Sequence, residues 1–167
     1  MNCKVTLASL TAGLLTVSAF AAAPAQAGER TCRGTIGSTT VDDLLVPQGA
    51  TCTLDGTTVK GTITVKGDAT LRAAHVRVVG NVQSENAKRV VLRGSSVGGS
   101  VQHVQGGSAK INNNRVNGDV QMFSNNGEIT ITRNRIDGSL QCKSNNPAPT
   151  GGNNTVGGNK EDQCRSL

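Results

Sequence analysis

The sequence predicts an all-β fold: one single-stranded right-handed parallel β-helix, a solenoid of about six to seven coils stapled by disulfides at both ends. Three observations lead there. A repeat of 19 or 20 residues keeps one register, aromatic residues are nearly absent, and four cysteines fall into two pairs about one repeat apart.

The repeat is read from Asp43 to Gly61, Thr62 to Gly80, Asn81 to Gly99, Ser100 to Gly118, Asp119 to Gly138 and Ser139 to Gly158. Each unit ends in Gly, and two residues earlier stands Val59, Val78, Val97, Val116, Ile136 or Val156. The second position is Leu44, Ile63, Val82, Val101, Val120 or Leu140, and Gln83, Gln102, Gln121 and Gln141 follow it in four consecutive units. A middle apolar position recurs as Leu54, Ala73, Leu92, Ile111 and Ile131. Each unit thus carries three short stretches in which apolar and polar residues alternate, separated by Gly, Asn, Asp or Ser. Alternation is strand behaviour, and no helical stripe competes with it. Leucine-rich repeats have similar length but need a Leu/Asn consensus that is missing, and a propeller blade needs about 40 residues.

Composition agrees. The chain has no Trp or Tyr and only two Phe, with 21 Gly. Ordinary cores use aromatics to fill irregular space, whereas stacked identical layers need only branched aliphatics in files. Gly and Asn suit the sharp corners because they enter positive φ at low cost.

Cysteines follow from the same stacking. Cys52 takes an inward position with Cys32 one coil earlier, and Cys142 takes another with Cys164 one coil later. Adjacent coils bring such pairs within disulfide reach, so Cys32–Cys52 and Cys142–Cys164 are expected, one at each open end. No zinc spacing, phosphate loop or calcium-binding nonapeptide occurs, so neither metal nor cofactor is expected.

Ahead of the repeat, Lys4 precedes an apolar run from Val5 to Ala23, and Ala25-Gln26-Ala27 provides small residues for cleavage. That order reads as a secretory signal over 1–27 rather than a membrane span. Cys3 lies before the run, so the lipoprotein arrangement is missing. The expected organisation is signal 1–27, N-terminal cap 28–42, repeats 43–158 and C-terminal cap 159–167, with the protein secreted and extracellular.

The V-x-G turn followed by an [NSD]-V-Q strand recurs through the repeats, and Leu140-Gln141-Cys142, the stretch from Asn145 to Gly158 and Gln163-Cys164 close them. From Asp43 to Cys164 this resembles the parallel β-helix superfamily that includes pectate lyases, and more closely the short β-helical proteins secreted by bacteria. The turn pattern is also similar to that of bactofilins, cytoskeletal β-helices that polymerise end to end. Those act inside the cell and lack this signal and these cysteines.

For a lyase, the superfamily resemblance implies calcium held by clustered carboxylates and an arginine that takes a proton; for a hydrolase it implies paired aspartates. The acids here are scattered, and Asp119 with Asp137, Asn117 beside them, is the pair to test for catalysis. Aspartates at such turns ordinarily bond the backbone. His103 takes an inward position between Ser84 and Met122, where core packing outweighs a nucleophile role, because no acid in that file orients the ring. Thr-x-Thr pairs, such as Thr62 with Thr64 and Thr130 with Thr132, do not form one column, so an ice-binding face is not expected.

Charge gives the sharper indication. Losing Lys4 with the signal leaves 16 basic side chains against 11 acidic ones. Arg72, Arg77, Arg89, Arg93, Lys110, Arg115, Arg133 and Arg135 all fall in the second half of their units, with Arg77, Arg115 and Arg135 in one column. Stacking would gather them onto one side of the rod, a stripe suited to carboxylate or phosphate. A solvated face that keeps the rod soluble is the plainer reading of the same residues. The function expected is a secreted non-enzymatic structural or binding β-helix, contacting an extracellular acidic polysaccharide or cell-wall polyanion through Arg72, Arg77, Arg93, Lys110, Arg115, Arg133 and Arg135. The alternative is a small polysaccharide lyase or glycoside hydrolase. Nucleic acid is not expected, since stacking aromatics are missing. Oligomeric state stays open.

Overall fold

The structure, a computed structural model, describes residues 28–167; the expected signal over 1–27 lies outside the described residues. Three parallel sheets, here A, B and C, contain 8, 7 and 7 strands, and successive strands of one sheet come from successive coils. The result is a right-handed-type β-solenoid of about 7 turns, with no helix among the described residues. The segment expected as an N-terminal cap is itself a coil, with strands Arg30–Thr31, Thr35–Ile36 and Thr40–Val41. No helix of the described residues is long and apolar enough to cross a membrane.

Register places each sequence position over its counterpart. In sheet A, Leu44, Ile63, Val82, Val101, Val120 and Leu140 stack, all fully buried. Sheet B stacks Leu54, Ala73, Leu92, Ile111 and Ile131. Sheet C stacks Val41, Val59, Val78, Val97, Val116 and Ile136. These three files meet along the axis as one apolar core. Each buried Leu, Ile or Val contributes about 1.5–3 kcal/mol relative to exposure.

The corners divide two roles that composition alone merges. Between sheets B and C, the left-handed position is held in turn by Gly56, His75, Gly94, Asn113, Arg133 and Asn153. The glycines that end each unit have no such φ and serve close approach instead. A Cβ at Gly80 would stand 2.7 Å from the Gly61 carbonyl oxygen, and one at Gly138 equally 2.7 Å from that of Gly118. Backbone there passes over backbone, and no side chain fits between.

Polar ladders tie the coils together outside the strands. The first residue of each unit accepts a hydrogen bond from the backbone of the next: Ser100 N–H donates to Asn81 Oδ1 at 2.8 Å, Asp119 N–H to Ser100 Oγ at 3.0 Å, and Ser139 N–H to Asp119 Oδ1 at 2.7 Å. Inside the corners run asparagine ladders, Asn114–Asn134–Asn154 and Asn125–Asn145, the second ending on Gln163. Among the described residues no buried side-chain polar atom lacks a partner. Disulfides join Cys32 to Cys52 and Cys142 to Cys164, with Cα atoms 5.5 and 5.3 Å apart.

His103 is wholly buried in the file Val46–Val65–Ser84–His103–Met122–Cys142. Its Nε2 lies 3.2 Å from the Gly107 carbonyl, which can only accept. A proton on Nε2 of the neutral ring satisfies that carbonyl, and the Ser84 hydroxyl, 2.8 Å from Nδ1 and 3.0 Å from the Gln102 carbonyl, shares its single proton between those two acceptors. Burial pushes the ring's pKa below 6.5, with the Gly107 bond acting the other way. The unfolded chain then binds the extra proton more readily. Stability is accordingly full above about pH 6.5 and falls as pH drops from there toward the lowered value, below which this contribution levels off. Denaturant titrations across that window should show the slope in the wild type and lose it in His103→Met.

Candidate functional site

Sheets B and C meet at a corner whose floor is the Asn114–Asn134–Asn154 ladder. Asn134 donates to the Ile111 carbonyl at 2.8 Å and to Asn154 Oδ1 at 3.0 Å, holding each turn against the next. Over this floor opens a shallow groove of about 500 Å³, lined by His75, Arg77, Asn113, Arg115, Arg133 and Arg135 among others. The groove thus holds the expected arginine column. Arg115 and Arg135 stand on adjacent coils, and Arg77 lies two coils before Arg115 with Ser96 between. Arg133 reaches the groove from the left-handed corner position.

One carboxylate serves two of these arginines. Arg115 Nη2 donates to Asp137 Oδ2 at 3.1 Å, and Arg135 Nε donates to Asp137 Oδ1 at 3.2 Å. Such exposed pairs contribute only about 0–1 kcal/mol each. Their consequence is geometric, because Asp137 holds two guanidinium groups side by side and leaves most of their N–H donors outward. Among the described residues no ion pair involves Arg77 or Arg133. His75, at the groove edge, has Nδ1 3.2 Å from Asp55 Oδ1.

A second cationic cluster occupies the outer face of sheet B. Val91 points outward between Arg72 and Lys110 of the neighbouring coils and is flanked on its own strand by Arg89 and Arg93. It is nonetheless only 8 % exposed, in keeping with the tendency of long basic side chains to lay apolar stems over a neighbouring apolar residue while their charges stay in water. Asp55 stands two coils before Arg93, and Glu128 lies just outside the cluster beside Ser108. No ion pair among the described residues joins any of the four cations.

The expected basic residues therefore divide between two faces, the corner groove and the flat of sheet B, rather than forming one stripe. The single column through Arg77, Arg115 and Arg135 was legible from the repeat. The hub at Val91 was also available there, since Thr53, Arg72, Val91, Lys110 and Thr130 share one position. What hid it was the apolar side chain, which the alternation assigns to the interior.

Asp119 and Asp137 are engaged separately. Asp119 is one rung of the backbone ladder, accepting from Ser139 N–H, while Asp137 holds the two arginines. Neither lines the corner groove. His103 and Ser84 are inside the solenoid, both below 5 % exposed. Among the described residues no three His, Cys, Asp or Glu side chains converge as metal ligands would.

Compared with known protein families, curated proteins and solved structures, the chain matches none.

Proposed function

We propose that this chain is a secreted, non-enzymatic rod of the pectate-lyase-like β-helix architecture, of the kind bacteria export, which binds an extracellular acidic polysaccharide or cell-wall polyanion through its basic side. The observation that carries the reading is the corner groove, where four arginines open to solvent and, among the described residues, Asp137 is the only carboxylate bonded to them. Guanidinium forks match carboxylate and phosphate oxygens in pairs, and a concentration of one sign raises the local density of a polyanion. The four cations around Val91 extend the same field over sheet B. Two buried disulfides fit an oxidising compartment, as does the signal-like start of the sequence.

Isolated cell wall and polygalacturonate beads, each washed through a salt series, test this. The oxidised protein should be retained at low salt and released progressively as screening increases. Replacing Arg77, Arg115 and Arg135 together by Ala should cut retention about tenfold or more. Retention unchanged by that replacement would remove the basis of the proposal.

Arg133 separates binding from folding. A non-glycine residue in the left-handed region costs about 1 kcal/mol or more, and Asn tolerates it better. Arg133→Asn is therefore expected to melt higher than the wild type while binding the polyanion less. A variant that both melts lower and binds less would assign Arg133 to the structure instead.

A further inference from the structure

The outer face of sheet A carries a site of different chemistry. Gln83, Gln102, Gln121 and Gln141 stand in register on successive coils. Gln102 Nε2 donates to Gln121 Oε1 at 2.8 Å, Gln121 Nε2 to Gln141 Oε1 at 2.8 Å, and Gln141 Nε2 to the Glu161 carboxylate at 3.0 Å. Gln83 Nε2 approaches Gln102 Oε1 more loosely, at 3.5 Å. Each amide held this way is fixed in plane and direction, yet keeps one N–H and one oxygen lone pair for an outside partner.

A second outward file runs beside the ladder: Glu85, Val104, Phe123 and Lys143. Phe123 is the only aromatic residue between 28 and 167. It is half-buried on this outer face and takes no part in the aliphatic core. A solenoid packed from Val, Ile and Leu files has no structural call for a ring there. On the coils before Phe123 the surface sinks into a groove of about 790 Å³, walled by Gln83, Gln102, Glu85, Val104, Lys66 and Asp68 among others. Charges on this face nearly cancel, Lys66 and Lys143 standing against Asp68, Glu85 and Glu161.

We infer that the outer face of sheet A binds a neutral polysaccharide chain, with Phe123 beneath a sugar ring and the glutamine ladder along its rim. A pyranose ring presents C–H groups on its face and hydroxyls around its edge. An aromatic side chain covers the first, and amides with a free donor and acceptor serve the second. Rungs about 4.8 Å apart, the strand spacing, give a linear chain repeated contacts along the axis. The amides are ordered before any ligand arrives, so little side-chain entropy is lost on binding. This face needs neither the arginines nor a charged ligand, and it stands independently of the polyanion reading.

Pull-down of the oxidised protein on insoluble cellulose and on insoluble chitin, both at high ionic strength, tests the inference. Cellulose offers hydroxyls alone and chitin adds acetamido groups, so the two arms show which the amides prefer. Retention on at least one, insensitive to salt, is expected. Phe123→Leu should weaken it about tenfold with the melting temperature preserved, Phe123→Tyr should retain it, and Arg77, Arg115 and Arg135 replaced together by Ala should leave it unchanged. Gln83→Ala, at the exposed and loosely bonded end of the ladder, gives a second reading should the Leu variant fold poorly, and it too should bind less. Absence of retention on both polymers, elution by salt, or undiminished binding by both Phe123→Leu and Gln83→Ala would overturn the proposal.

Discussion

Asn134→Ala is expected to lower the unfolding free energy by about 2–6 kcal/mol. Asn134 is 2 % exposed and sits in the middle of its ladder. Its Oδ1 accepts from both the backbone N–H and the side-chain Nδ2 of Asn114, each at 3.0 Å, and its own Nδ2 serves the Ile111 carbonyl and Asn154. Truncation strips the Asn114 N–H and the Ile111 carbonyl of these partners in a place water does not reach. Each buried group left so costs about 1–3 kcal/mol, which sets the range. The corner groove rests on the same rung, so polyanion retention should fall with stability. Urea denaturation of the oxidised protein reads the first effect. Asn112→Ala, which removes only a half-buried side chain whose bond to the Thr132 carbonyl is 3.5 Å long, is the control and should shift the midpoint little. Equal losses in the two variants would mean the ladder has no special energetic weight.

Removing both disulfides is the second large effect. The loops they close separate the cysteines by 20 and 22 residues, and in the chain-entropy model each is worth about 3 kcal/mol, so reduction should cost about 6 kcal/mol in all. The location of the loss matters as much as its size. Solenoid coils contact only their neighbours, so stability is close to a sum of coils and interfaces, and ends fray first. Each staple joins an end coil to the next. After reduction, hydrogen exchange should accelerate in the coil of Arg30–Val41 and around Cys164 well before the amides of Val90 and Ile111. Replacing Cys32 and Cys52 together by Ala should reproduce the N-terminal half of that pattern alone. Uniform acceleration along the whole rod would instead mean that it unfolds as one cooperative unit.

Much of the architecture was legible because one period governs the chain. A side chain in a solenoid has the same position of the preceding and following coils as its neighbours, so aligning the units states which residues touch. Both disulfide partners, the aliphatic files, the Ser84–His103–Met122 sequence in the core and the column of Arg77, Arg115 and Arg135 all follow from that rule. Where the rule meets a corner it loses power. Nothing in the period distinguishes Gly94, placed by its positive φ, from Gly80, placed because the coil below lies too close for a Cβ. Nor does it show that Asp119 spends its carboxylate on the backbone of Ser139 while Asp137 turns outward to two arginines.

The sequence by itself determined the stacking: the strand alternation, the length of a coil, and which side chains share a file. Only the tertiary structure decided how those files are distributed around the axis, because the angle at each corner is set by a few backbone torsions that leave the repeat unchanged. That angle sets the cations of the corner groove on a different face from those on the flat of sheet B, whereas the place of Val91 among its basic neighbours and of Phe123 beside Gln121 follows from register and alternation along single strands. Periodicity along the chain encodes contact between coils, whereas the faces of the rod are written in the turns.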